Sequence, residues 1–350
     1  MRLLIVAIPI LAALAAVSLI QGPSSASACA GLIGSNGAVN LGRTTTLAAY
    51  HDGIEHYVTA FQFQGGGGEF GTLIPLPDVP SKVERGGDWT LQRLALETQP
   101  PVAEAAFDSV LALGAVVLQE VRIDALDITV LKGGGPDVAT WATEHGFRLS
   151  PDAPEVLDFY AARSPIFLAA VFDGDAALAR GQQIGDGTPV HITIPTSNPW
   201  VPLRILTLGK QPADRVDADV FLLTDREPAL LPAPGPGLSL VHNEAATTTL
   251  LDDLRADVGM SWIPQSAWLT KLQVDSSAAD LRFDLAIDTS GKNNPSPVAA
   301  GLELPDIAPA DNDGSASTFV WAAVVAALAA SVVMLIALVA LRPQPRGVRR

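Results

Sequence analysis

The sequence predicts an α+β fold: a mainly antiparallel, β-rich extracytoplasmic domain with several short helices, plus one C-terminal transmembrane helix. Three observations predict it. Runs of alternating β-prone residues are divided by Gly, Pro and Asp turns, short stretches of helical period stand between them, and an uncharged apolar run lies at each end of an acidic middle.

The two end runs define the expected topology. Phe319 to Leu341 holds 23 residues without a charge, enough to cross a hydrocarbon core of about 30 Å. Asp311 and Asp313 precede it and Arg342, Arg346, Arg349 and Arg350 follow it, which points the C-terminus to the cytoplasm. At the other end Arg2 is followed by an apolar run from Leu3 to Ile20 and by Ala26-Ser27-Ala28. That is a secretory signal with cleavage between Ala28 and Cys29, the alternative being an uncleaved anchor. The expected organisation is a signal peptide over 1–28, an outer domain over 29–289, a stalk over 290–317, a span over 318–341 and a basic tail over 342–350. The expected location is the cell membrane, single-pass, with the membrane itself and an envelope protein as partners.

Charge and cysteine usage narrow the classes. Between Cys29 and Ser317 there are 17 basic against 37 acidic side chains. Such a surface repels nucleic acid, which is excluded as a partner. Cys29 is the only cysteine, so no disulfide can form within the chain and the core must hold by packing. At the first mature position Cys29 is a candidate for lipidation, with a free thiol or an intermolecular disulfide as alternatives.

The elements follow in order. RTTTLAAYHDGIEHYVTAFQF reads as a hairpin with Asp52-Gly53 at its tip, because a two-residue turn wants positive φ at both centres. That turn sets the register, His51 opposite Ile54 and Leu47 opposite Val58, and puts His51 and His56 on one face as diagonal neighbours. Tyr57, Thr59, Phe61 and Phe63 share the other face with Ala48 and Thr46, the face expected to be buried. Gly65 to Gly68 is a flexible turn, with FGTLIPLP a strand after it. Asp88 is the expected cap of a helix over 89–98. Strands are expected over 115–123 and 126–131, and helices over 136–145, opened by Pro136, and over 152–162. IFLAAVF, from Ile166 to Phe172, is apolar throughout and is expected at the centre of a sheet. Val190, Ile192 and Ile194 then face the core, which puts His191 on the opposite, wet side. Strands over 201–208 and 220–224 precede PALLPAPGPG, over 228–237, a candidate internal boundary. A helix over 247–257 and strands in WLTKLQVD and LRFDLAID complete the domain.

Several stretches together resemble a bacterial family known as domain of unknown function (DUF) 2330: ACAGLIG after the signal, the hairpin TLAAYHDGIEHYVTAF, FGTLIPLPDVP, WATEHGFRLSPDAPEVLDFYAARSPIFLAAVF, TPVHITIPTSNPWVPLRI and WLTKLQ. The resemblance covers most of Cys29 to about Ile287. Ala30 before Gly31, and Arg163-Ser164-Pro165 in place of a glycine-rich turn, depart from the family pattern. The resemblance implies an exported protein with no assigned activity and no catalytic residues to transfer.

The chemistry-bearing residues are few. His51 and His56 on one face, with Asp52 nearest, form a candidate metal site, since two imidazoles bind zinc when a third ligand closes the site. His145, His191 and His242 stand in unrelated contexts. Gly-x-Ser-x-Gly, His-Glu-x-x-His and dinucleotide fingerprints do not occur in the sequence, and no cofactor is expected. The reading is a membrane-anchored binding or structural module of the cell envelope, with a metal-dependent envelope enzyme using His51 and His56 as the alternative.

Overall fold

The computed structural model describes residues 31–34, 37–38, 44–62, 69–99, 121–181 and 187–303. Strands β1 (Gly31–Gly34) and β2 (Gly37–Ala38) come first, followed by the hairpin of β3 (Thr44–His51) and β4 (Ile54–Gln62). Asp52 and Gly53 at its tip have φ of 50° and 77°, and the register runs from His51 opposite Ile54 to Thr46 opposite Thr59. Next are β5 (Glu69–Pro75), β6 (Lys82–Arg85), helix α1 (Thr90–Glu97), β7 (Val121–Ile123) and β8 (Leu126–Lys132). Helices α2 (Gly135–Glu144) and α3 (Ala153–Ala161) lead into β9 (Ile166–Asp173), the short α4 (Gly174–Ala179), β10 (Gly187–Pro195) and β11 (Trp200–Val201). A 3₁₀ turn (Arg204–Thr207), β12 (Arg215–Thr224), β13 (Ala229–Leu231), β14 (Leu238–Ala245), α5 (Thr248–Ala256), β15 (Trp268–Ser277) and β16 (Leu285–Asp288) follow.

Three sheets result: a seven-stranded one in the order β14-β15-β12-β3-β4-β10-β6, a six-stranded one in the order β2-β1-β5-β9-β8-β7, and a small one in the order β11-β16-β13. Among the described residues every pairing is antiparallel except β12 with β3.

Alternation along the strands sorts side chains into layers. Leu168, Ala170 and Phe172 of β9 join Ala48, Tyr57, Val190, Ile192, Val220 and Leu222 in a core between the two large sheets. Phe167, Ala169 and Val171 of the same strand pack instead on Val138, Trp141, Val156 and Leu157 of α2 and α3. On the far side of the seven-stranded sheet, Leu47, Val58, Phe221 and Leu223 pack on Leu91 and Leu94 of α1 and on Leu250, Leu251 and Leu254 of α5. The arrangement is therefore helices, sheet, sheet, helices, and its central strands are buried on both faces. This is why β9 carries apolar side chains at every position from Ile166 to Phe172.

Two buried carboxylates brace the layers. Asp284 Oδ1 accepts from the Tyr160 hydroxyl at 2.9 Å and from the Leu203 and Arg204 amides at 2.7 and 2.9 Å. Its Oδ2 accepts from Arg163 Nη2 at 2.5 Å, and the Tyr160 hydroxyl accepts from the Ile205 amide at 2.7 Å. Burial pushes the Asp284 carboxyl up and Arg163 pulls it back. Asp257 serves the other end. Trp89, at the N-cap of α1, makes no side-chain cap; Asp257 accepts from the Asp88 and Trp89 amides at 3.1 and 3.0 Å and from Thr90 Oγ1 at 2.8 Å. An anion placed there meets the unpaired N–H groups and positive dipole end of the helix. A Cβ on Gly87 would lie 2.4 Å from Asp257 Oδ2, so glycine is what lets the carboxylate approach.

Several expectations are corrected. Asp88 does not cap α1: its carboxylate is held by Arg85 Nη2 at 2.8 Å, and the cap comes from Asp257. The strand expected over 201–208 ends at Val201, because Asp284 and Tyr160 take the amides of residues 203–205 out of any ladder. Residues 228–237 carry β13 and lie between β12 and β14, strands of one sheet. The start of the expected stalk belongs to the fold, with Ala299 and Ala300 buried and the Ala299 carbonyl accepting from Arg163 Nη1 at 2.6 Å. His191 is 1% exposed rather than wet, since helices cover that face. The membrane expectation is also corrected. Among the described residues no helix is long and apolar enough to cross a membrane, and 318–341 lies outside them. The single-pass topology, the membrane and envelope partners and the cell-membrane location that rested on that helix lose their support. The signal peptide over 1–28, cleavage between Ala28 and Cys29, and lipidation of Cys29 likewise fall outside the described residues.

The Asp284 hub generates a test. With Arg163 4% and Asp284 0% exposed in their side chains, Asp284→Ala strands a buried guanidinium and three polar groups, and is expected to cost about 3–5 kcal/mol in urea unfolding. Asp284→Asn keeps an acceptor and should cost less. Equal midpoints for Asp284→Ala and wild type would show that the layers do not depend on this brace.

Candidate functional site

The register of β4 against β10 places His191 opposite Val58 and Thr193 opposite His56, and β6 puts Glu84 opposite His191. His56, His191, Thr193, Glu84 and Lys82 thereby share the face that α1 and α5 cover. His56 Nδ1 and His191 Nε2 are 2.8 Å apart. Trp262, from the connection between α5 and β15, lies over both rings, with its centroid 3.9 Å from His56 at an interplanar angle of 3° and 5.0 Å from His191. His191 Nδ1 stands 3.4 Å from Glu84 Oε1, an ion-pair distance without hydrogen-bond geometry, and Lys82 Nζ meets Glu84 Oε2 at 2.7 Å.

One proton between two imidazoles defines the chemistry of this contact. A neutral ring has one donor and one acceptor nitrogen, so one of the pair donates and the other accepts; two imidazolium rings have no acceptor left between them. The surroundings keep both rings neutral. Burial, then His191 and His51, lower His56 to about 3 against a smaller upward pull from Glu84. Burial, then Lys82, lowers His191 to about 4. A base that weak at neutral pH is poorly matched to general base catalysis.

The other face of the same hairpin holds Glu55, fully buried toward the core. Its oxygens have no hydrogen-bond partner of good geometry among the described residues. Burial pushes its carboxyl to about 8, and the Trp200 backbone amide offsets this only in part.

His51 and His56 do share a face, as the turn dictates, but their nitrogens serve different partners. His51 Nδ1 meets Asp225 Oδ1 at 2.5 Å and its Nε2 lies 3.2 Å from Asp52 Oδ2, while His56 turns to His191. Among the described residues no group of three His, Cys, Asp or Glu side chains is placed to hold a metal ion. The candidate metal site of His51, His56 and Asp52 is therefore corrected, and with it the metal-dependent enzyme. Of the remaining histidines, His145 contacts the Trp141 carbonyl at 2.8 Å and stacks on that ring at the end of α2. Sequence reasoning missed Glu84, His191 and Trp262 as companions of His56. One signal was present: His56 and His191 both fall on the phase opposite the core residues of their strands.

No curated protein matches the chain. Among solved structures, baculovirus P35 is similar over 70% of this chain and 95% of its own, at 8% identity and a TM-score of 0.38. The caspase-8/P35 complex is similar over 70% of this chain and 95% of that one, at 10% identity and a TM-score of 0.34. Likeness at that level supports no conclusion about this protein. Residues 23–227, which include Glu55, His56, Glu84 and His191 but not Trp262, match the uncharacterized proteins conserved in bacteria termed DUF2330, and the chain belongs to that family.

Proposed function

We propose that this protein works as an acid-responsive module, in which the neutral His56–His191 pair holds the Trp262 connection closed on the seven-stranded sheet and releases it on protonation. The 2.8 Å contact between the two rings beneath Trp262 carries the reading, because that hydrogen bond exists only while at least one ring is neutral. Glu84 and Lys82 from β6 and His51 from β3 are the charged or titratable groups facing the pair. Glu84 alone among them favours its protonation, and it is already engaged by Lys82.

Proton linkage gives the direction. Both imidazoles lie below their ordinary 6.5, so below pH 6.5 the unfolded chain binds more protons and stability falls as pH drops toward 4. Glu55 acts in the opposite sense. Its carboxyl is raised from 4.5 to about 8, so the folded chain holds the extra proton and stability falls as pH rises between those values. Together the three groups place maximum stability near pH 6.5.

Two measurements test this. In urea unfolding across pH, His191→Gln is expected to reduce the slope of the acid limb by about 1.4 kcal/mol per pH unit, the value of one proton. Glu55→Gln should flatten the alkaline limb and steepen the acid limb between pH 4.5 and 6.5 by about the same amount, since Glu55 opposes the histidines there. In the folded chain, Trp262 fluorescence should change between about pH 4 and about pH 3, where the two rings titrate, before global unfolding in wild type, and Trp262→Phe should identify that signal. An acid limb unchanged in both His191→Gln and His56→Gln would rule out the latch.

A further inference from the structure

The two edges of the seven-stranded sheet are built differently. β6 closes one edge with four residues, Lys-Val-Glu-Arg, and a short charged strand is how proteins keep an edge from recruiting another. β14 forms the other edge. It has eight residues, pairs with β15 along its length, and among the described residues no strand pairs with its outer side. Its sequence, LSLVHNEA, contains no Lys, Arg or Pro. Leu240 and Val241 are 45% and 44% exposed. Val241 is the extra residue of a bulge, since Leu240 opposes Leu272 and His242 opposes Lys271. Leu238 pairs with Gly235 through both its backbone groups; beyond it, among the described residues, the outer side of the strand offers unpaired backbone groups beside two apolar side chains.

Charge indicates the occupant. Glu244 is the strand's one acidic side chain, and on the opposite face Glu227 Oε1 accepts from the neighbouring Asn243 Nδ2 at 2.6 Å. That end of the edge is acidic, and the whole chain carries a formal charge of −15. A second copy brings the same charge and is repelled. We infer that the β14 edge takes an extended segment of another protein by strand addition, with apolar side chains beside Leu240 and Val241 and basic residues at the end that meet Glu244 on one face and Glu227 on the other. Main-chain bonds supply affinity in this mode and the side chains supply selection.

The test uses the full chain and eight-residue peptides, the length of β14, with alternating Val and Thr and a terminal Lys-Lys or Glu-Glu. Fluorescence anisotropy is expected to show binding of the basic peptide, at least about tenfold tighter than the acidic one, and weakening with added salt. Methylation of alternate backbone amides in the peptide should abolish binding. Val241→Pro, which disturbs the edge backbone, and Leu240→Lys, which changes only an exposed side chain, should each weaken binding at least about tenfold while leaving the circular dichroism and unfolding midpoint of the chain as in wild type. Glu244→Gln with Glu227→Gln should erase the preference for the basic peptide. No binding at millimolar peptide, equal binding of the methylated peptide, or binding unaffected by both edge variants would overturn the inference. So would self-association of the full chain that Val241→Pro abolishes, since the edge would then belong to a second copy.

Discussion

Burial of the central strands on both faces is the constraint on which everything else in this protein rests. With one cysteine in 350 residues, the fold has no internal cross-link and stands on packing. Two large sheets share one core, and a helix pair closes the outside of each. A strand so placed must be apolar at successive positions, or must find partners for every polar group it carries. β9 takes the first course, the buried carboxylates Asp284 and Asp257 take the second, and β4 carries Glu55 and His56, which burial holds uncharged.

The second course accounts for the internal carboxylates. Asp284 and Asp257 are nearly inaccessible, yet each gathers several donors, and each ties distant parts of the chain. Asp284 joins α3 to the 3₁₀ turn through Tyr160, Arg163 and the amides of Leu203 and Arg204. Asp257, at the end of α5, supplies the cap that α1 lacks. A buried charge is tolerated because its donors replace the water it has lost. The arrangement specifies geometry: a layer that slid would leave these carboxylates unpaired.

Along β4 the same constraint produces adjacent residues of opposite titration. Glu55 points into the core between the sheets and is held protonated well above the ordinary carboxylate range. His56 points under Trp262 and is held neutral well below the ordinary imidazole range. Both shifts have burial as their largest cause, and both favour the uncharged form. One strand thus sets an acid limit and an alkaline limit to the fold, and the acid limit lies under Trp262, in a connection that also places Met260 and Ile263 in the core beneath the helices.

Much of the local structure was determined by the sequence alone. Asp52-Gly53 specified the hairpin register because only residues tolerant of positive φ close a two-residue turn. Periodicity and helix signals located α1, α2, α3 and α5 within a residue or so at each end. The uniform apolarity of Ile166 to Phe172 marked a strand buried on both faces. Those are short-range properties, carried by neighbours along the chain. The tertiary structure decided the rest. Alternation says which side chains share a face, but not what covers that face, and so His191 read as wet when α1 and α5, some hundred and some sixty residues away along the chain, in fact cover it. Nor does it say which strands pair. β6 has no alternating pattern of its own, and Glu84 meets His191 only because β10 lies between β4 and β6. The site of Glu84, His56, His191 and Trp262 exists because strand pairing and helix packing bring together residues spread over half the chain, and such contacts depend on the free energy of the whole fold rather than on any segment of it.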